Sequence, residues 1–368
     1  MLHNWLQAVS AELIAAADEK RSTWNDQLAI YTHEIPPMDQ CQLAIIGLDK
    51  EAADRVRKQL YPLSFPFEQL SITDLGNFRK PDPSFIQPVV SELLASNILP
   101  VLIGRDPHQI QAQYQAQLSV QPMASMAIID EILPFSAATV SDHHAYLQPL
   151  LEEKANLPYH FCFLAYQSPF TDPAVLDRLH RRFADLLSLG GIRSDITETE
   201  PYIRNADLLG LHLGALEGPS APGNIRLSPN GLRPEEICQL VRYAGMSDKL
   251  RSFGIYGFVA EEDRREQTAA LIAQMIWYFA DGFYRRRNDF PVSTDGLVEY
   301  IVQPKTLGHT IVFWKSKKSG RWWMQIPADK KDSQPARHRL IPCSYKDYVQ
   351  ASNGGLPDRL LLAYERFL

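Results

Sequence analysis

This chain has little that would tie it to a disulfide framework, a membrane or a nucleotide. Its 368 residues contain four cysteines. Cys41, Cys162, Cys238 and Cys343 are far apart, with no CxxC pair and no histidines at finger spacing. That excludes a sequence-local zinc module and points to free thiols in a reducing compartment. The most apolar run, Ala269–Phe279, is too short to span a bilayer and carries Gln274. The opening stretch MLHNWLQAVSAELIAAADEK lacks a basic region followed by a long apolar run. It reads as an amphipathic helix over about 1–20, not a secretory signal, and the expected location is the cytoplasm. Gly218, Gly223 and Gly231 do not form GxGxxG after a strand, and there is no GxSxG elbow or Cys–His pairing. With a net charge of −6, nothing global attracts nucleic acid or an anionic surface. Repeats and low-complexity tracts are also missing.

What remains is ordinary globular composition, 45% hydrophobic and 22% charged, in a chain long enough to bury a core without staples. Short apolar runs alternate with helical patterns. Strands are expected at Leu43–Leu48, Phe67–Asp74, Ile98–Ile103, Met123–Ile129, His160–Ala165, Ala206–Leu213 and Leu250–Phe258. Helices are expected at Asp49–Leu60, Asp82–Asn97, Pro107–Leu118, Asp172–Leu187 (closed by Gly190-Gly191), Pro234–Ala244 and Arg264–Arg286. This alternation implies a mainly parallel sheet covered on both faces, a three-layer α/β/α domain over residues 1–290. In such sheets ligands bind beyond the carboxyl ends of the strands. The informative residues are therefore Gly104–His108, Asp130–Phe135, His212–Glu217 and Tyr256–Glu261. Pro219–Pro234, rich in Gly, Pro, Ser and Asn, reads as an ordered loop over the sheet edge.

After Pro291 the character changes. His309–Lys315 and Arg321–Ile326 alternate and flank Ser316–Gly320, which predicts a β-hairpin. A polar stretch at Pro327–Arg339 and helices at Ser344–Ala351 and Pro357–Phe367 complete a small α+β extension over 291–368.

Several segments together resemble the ureohydrolase superfamily of arginases, agmatinases and formimidoylglutamases, most closely a bacterial formimidoylglutamase-like subgroup. They are Asp74-Leu75-Gly76-Asn77, Leu164-Ala165-Tyr166-Gln167, APGN at 221–224, SPNGL at 228–232, RYAGMSDKL at 242–250, QTAALIAQMIWYF at 267–279, WKSKKSGRWW at 314–323 and IPCSYKDY at 341–348. The resemblance implies an arginase-like fold from about residue 40 onward and homo-oligomer formation. It also implies a chemistry in which two manganese ions activate a bridging water that attacks an amidine or guanidine carbon. The ligands in that family are a His after a glycine pair, an Asp-x-His-x-Asp cluster preceded by another Asp, and an Asp-x-Asp pair, each at a strand end.

The chain departs from this pattern at every strand end. After ILPVLI, Arg105 replaces the second glycine and Pro107 stands where the His belongs. After MASMAII, Asp130 fits one ligand position, but Ile132 and Pro134 follow. His212-Leu213-Gly214 stands in place of Asp-x-Asp, and Gly257 replaces an acidic residue expected after SFGIY. One carboxylate cannot hold two metal ions. The resemblance therefore implies a pseudoenzyme with a degenerate metal site, no manganese, and a binding, regulatory or scaffold role.

Two other readings stay open. His108, Asp130 and His212 all follow strands; if those strands are neighbours they would make the two-His, one-carboxylate ligand set of a rebuilt mononuclear metal site. That would be a metal-dependent C–N hydrolase. The adjacent pair His143-His144 is a weaker candidate, expected at the surface. In the hairpin, Lys315, Lys317, Lys318 and Arg321 lie beside Trp314, Trp322 and Trp323, with Arg285-Arg286-Arg287 nearby. Such a pattern binds single-stranded nucleic acid or, more ordinarily, packs against a core or partner.

Overall fold

In a computed structural model the described residues are 2–14, 22–133, 145–152, 157–182, 184–291, 293–303, 310–325 and 340–367. The strands of the main sheet are β1 (Leu6–Gln7), β2 (Ala29–Ile30), β3 (Leu43–Gly47), β4 (Ile72–Phe78), β5 (Leu99–Ile103), β6 (Ser125–Ile129), β7 (His160–Tyr166), β8 (Asp185–Ser188), β9 (Leu208–His212) and β10 (Ser252–Tyr256). Their order is β1-β4-β3-β5-β10-β9-β6-β7-β8, with β2 also on β4. Every pairing is parallel except β1 with β4.

Most of these strands are buried along their whole length, as a sheet covered on both faces requires. The side-chain period of two divides each between two cores. Ile45, Val101 and Ile103 face one layer, and Ala44, Ile46 and Leu102 face the other. The first layer is built from α1 (Trp24–Gln27), α2 (Lys50–Leu60), α7 (Leu189–Ser194), α8 (Glu200–Arg204), α9 (Pro234–Gly245) and α10 (Gln267–Tyr284). The second is built from α3 (Pro83–Ala95), α4 (Ile110–Val120), α5 (Gln148–Glu152) and α6 (Pro173–His180). Capping follows local chemistry: Asp49, Asp82 and Asp172 each accept an amide of the first turn of α2, α3 and α6.

Three expected elements come out differently. The amphipathic helix expected over 1–20 is not formed in residues 2–14, where Leu6 and Gln7 pair with Phe78 and Asn77. The reason lies at Gly76 (φ +74°), where a β-carbon would sit 2.1 Å from the Gln7 carbonyl oxygen; the missing side chain admits β1. The strand expected at Phe67–Asp74 is shifted to Ile72–Phe78, because Phe65 and Phe67 instead pack edge-to-face against Trp24. The helix expected through Leu187 stops at His180. Asp185–Ser188 then joins β7 as an edge strand, drawn there by a 2.5 Å contact between His160 Nε2 and Asp185 Oδ2.

The C-terminal part is a four-stranded antiparallel sheet of β11 (Leu297–Val302), β12 (Ile311–Ser316), β13 (Trp322–Gln325) and β14 (Leu340–Cys343), with α11 (Tyr345–Ser352) and α12 (Asp358–Phe367). The hairpin turn falls at 317–320 as expected. His309 and the polar stretch 327–339 lie outside the described residues. Three arginines dock this sheet on the body. Arg204 donates to the carbonyls of Trp322 and Cys343 and lies 4.6 Å from the Trp323 ring centre. Arg321 reaches Glu200 at 3.3 Å and the Met246 carbonyl at 3.1 Å. Arg359 bonds Glu198 and Asp347 and lies over Tyr202. Trp322 and Trp323 are buried, with Trp322 stacked on Tyr348. Those aromatic faces are covered by the chain itself, which is the packing reading of the hairpin.

Candidate functional site at the strand ends

The sheet order decides which strand-end residues meet. β6 and β9 are neighbours, with Ile129 opposite Leu211, so Asp130 and His212 emerge side by side. His212 Nδ1 is 3.5 Å from Asp130 Oδ1, and both side chains are buried. His108 follows β5, which is separated from β9 by β10 and from β6 by both. At roughly 4.8 Å per strand this places it three strand spacings from Asp130. Its side chain is half-exposed and bonds Asp106 Oδ1 at 2.9 Å. The His108–Asp130–His212 set therefore does not assemble, because its strands are not all neighbours. Among the described residues no group of three His, Cys, Asp or Glu side chains is placed to hold a metal ion. Pro134, His143 and His144 lie outside the described residues.

A residue absent from the expected set completes the cluster. Arg226, on the loop between β9 and α9, brings Nη2 into contact with Asp130 Oδ1 and to 2.8 Å from His212 Nδ1. Its Nε lies 3.8 Å from Glu131 Oε1. The Glu131 amide donates to Asp130 Oδ1 at 2.7 Å, and the Tyr146 hydroxyl donates to Oδ2 at 3.0 Å. The Tyr146 ring is stacked on His212, 6.0 Å between centres. Because the Gly214 amide donates to His212 Nδ1 at 2.9 Å, that nitrogen is an acceptor and the ring carries its proton on Nε2.

Two glycines make room for this arrangement. A β-carbon on Gly257 (φ +88°) would sit 2.9 Å from His212 Nε2, so the imidazole lies where a side chain at 257 would begin. Gly214 likewise opens the space taken by the Arg226 guanidinium.

Burial raises the Asp130 carboxyl above the ordinary carboxylate value, opposed by Arg226 and by the hydrogen bonds it accepts. Burial also raises Glu131 from 4.5 to about 7, with Arg226 opposing and Asp130 adding to the rise. The residues present do not fit a pair of manganese ions. The lone pairs of Asp130 Oδ1 and His212 Nδ1 that would face a metal are those to which Arg226 and backbone amides donate.

Sequence reasoning found Asp130 and His212 but missed Arg226, Glu131 and Tyr146. The available signal was a single arginine between APGN and SPNGL, in a loop already expected to lie over the sheet, opposite a ligand position occupied by glycine.

No family model matches the chain. It is 26% identical over 212 residues to a formimidoylglutamase of Geobacillus sp. (strain WCH70), a match taking in 54% of this chain and 64% of that protein's length. Among solved structures, the Bacillus subtilis formimidoylglutamase aligns with a TM-score of 0.64 at 17% identity, covering 77% of this chain and 98% of that one. The Trypanosoma cruzi formiminoglutamase with Mn2+ gives 0.62 at 14% identity, covering 72% and 99%. The agmatine ureohydrolase of Thermoplasma volcanium gives 0.54 at 14%, covering 68% and 92%. The fold is arginase-like, and the resemblance to the ureohydrolase superfamily, formimidoylglutamases in particular, is met in both sequence and structure.

Proposed function

We propose that this protein is a non-hydrolytic ureohydrolase homologue, one that keeps the fold and acts by binding, as a regulatory or scaffold protein. The observation that carries this reading is the Arg226 guanidinium seated on Asp130 and His212, where the resemblance would put metal ions. A fixed cation there supplies charge but neither a Lewis-acidic site nor a bound water of lowered pKa, the two means by which a metal ion assists such an attack. The self-association expected of the superfamily belongs to this proposal as well.

Metal analysis of the purified protein tests it, together with assays of formimidoylglutamate, agmatine and arginine turnover with added manganese. The expected result is sub-stoichiometric metal and no turnover. Stoichiometric manganese, zinc or iron that disappears in His212→Ala, with hydrolysis of any of the three compounds, would instead carry the reading of a C–N hydrolase with a rebuilt site. That site would require Arg226 to vacate Asp130.

A further inference from the structure

The two sheets treat their edges differently. In the main sheet β1 and β2 are two residues long, and β8 is four residues long with a shifted register against β7. β14, one edge of the C-terminal sheet, carries Pro342 and is held to the body by Arg204. Shortness, irregularity, proline and cover keep sheet edges from pairing with other chains. β11, the opposite edge, lacks the first three. Its six residues pair with β12 in unbroken register, contain no proline or cation, and leave Ile301 62% and Val298 37% exposed.

The hydrogen-bonding groups of this edge follow from its register. The Lys317 amide donates to the Gly296 carbonyl, and on the other side of β12 the Ser316 amide donates to the Arg321 carbonyl. Alternation then turns the amides and carbonyls of Val298, Tyr300 and Val302 toward β12, and those of Glu299 and Ile301 outward. The Leu297 amide is taken by the Thr294 carbonyl. Among the described residues no strand lies beyond β11, so Glu299 and Ile301 each present a donor and an acceptor along its open side.

A second β11 satisfies these groups. Antiparallel pairing about a two-fold axis keeps the faces of both sheets aligned when the axis passes at Glu299, Tyr300 or Ile301. An axis at Glu299 sets two carboxylates directly opposite each other, and one at Tyr300 leaves them diagonal neighbours. An axis at Ile301 sets Ile301 against its own copy, Tyr300 against Val302 and Glu299 against Gln303. Opposed like charges are destabilising, whereas aromatic and β-branched side chains pair favourably.

We propose that β11 is a self-association edge, pairing antiparallel with β11 of a second copy about a two-fold axis at Ile301 and joining the two C-terminal sheets into one. This gives the self-association proposed above a surface, and it rests on that reading.

Sedimentation of the full chain at micromolar concentration tests it, with Ile301→Lys and Ile301→Pro beside wild type. The lysine places a charge at the axis. The proline removes an outward amide and spares the bonds to β12. Both variants should keep the wild-type circular dichroism spectrum and sediment at half the wild-type mass. Ile301→Cys reads the register. Paired residues at the axis lie about 5.5 Å apart between α-carbons, within disulfide reach, and the four native cysteines are buried. A mild thiol oxidant should therefore cross-link Ile301→Cys into a covalent dimer. Glu299→Cys should not cross-link, since its copy lies four residues further along, roughly 13 Å at about 3.4 Å per residue. Unchanged mass in both Ile301 variants, or cross-linking of Glu299→Cys in preference to Ile301→Cys, would overturn the β11 assignment alone. A single-chain mass for wild type would overturn it together with the self-association reading, leaving the edge to a strand from another protein. Metal content and turnover are separate measurements and bear only on the non-hydrolytic reading.

Discussion

Gly214 and Arg226 occupy complementary space: a β-carbon on the glycine would lie 2.5 Å from Nη2 of the arginine. The resemblance puts an aspartate at 214. The glycine and the guanidinium are two halves of one arrangement, in which the missing side chain leaves the space that the loop cation fills.

Gly214→Ala therefore tests the fit directly. The new methyl displaces the guanidinium or strains the loop, at a cost of about 1–3 kcal/mol typical of overpacking. Urea denaturation should show a smaller cost for Gly214→Ala in an Arg226→Ala background than in wild type, because only the contact with His212 Nδ1, 2.8 Å away, then remains.

Glu131 gives the fold a pH dependence. Its carboxyl is raised from 4.5 to about 7 in the folded state by burial. Between those values the folded protein holds a proton that the unfolded chain has released, so this residue's contribution to stability declines as pH rises through that window. Denaturation midpoints measured across it should show that decline, and Glu131→Gln should flatten it.

Arg57 and Asp74 form a fully buried bidentate pair, with 2.9 Å bonds from both Nε and Nη2. The same guanidinium bonds Asn77 Oδ1 and the Gly76 carbonyl, so it ties together the DLGN segment of β4, where the pairing with β3 shifts register. Arg57→Met or Asp74→Leu alone is expected to cost about 3–5 kcal/mol, since each strands a buried charge. The double variant should cost less than the sum, measured by a double-mutant cycle in urea.

Arg204 links the body to the C-terminal sheet through the carbonyls of Trp322 and Cys343. Arg204→Met leaves two buried acceptors unpaired, about 1–3 kcal/mol each. The expected readout is faster hydrogen exchange in β13 and β14 than in wild type, with β5, β9 and β10 unchanged. Equal acceleration throughout would mean that the two parts unfold as one cooperative unit.

Much of the architecture was legible in local pattern. LAIIG, LPVLI and SMAII are short apolar runs bounded by turns and helices, and they form buried parallel strands. Where local pattern misled, a distant partner overrode it. DLLS at 185–188 fits a helix or a strand equally, and β7 decided between them through His160. The N-terminal LQ pair is helical by composition and became a strand because Gly76 left room beside it.

The site divides along the same line. The residues following each strand could be read in order, and from them came Asp130, His212, Gly214 and Gly257. Strand order could not be read, because β5, β6, β9 and β10 are far apart in the chain and adjacent only through the sheet. That order brings Asp130 to His212 and keeps His108 away. Nor could the chain's one-dimensional pattern show that Arg226, fourteen residues beyond His212, turns back onto it. A loop residue's reach is set by the anchors of its loop, here Asn224, Asn230 and Gly231, and these exist only once the strands, helices and loop have packed.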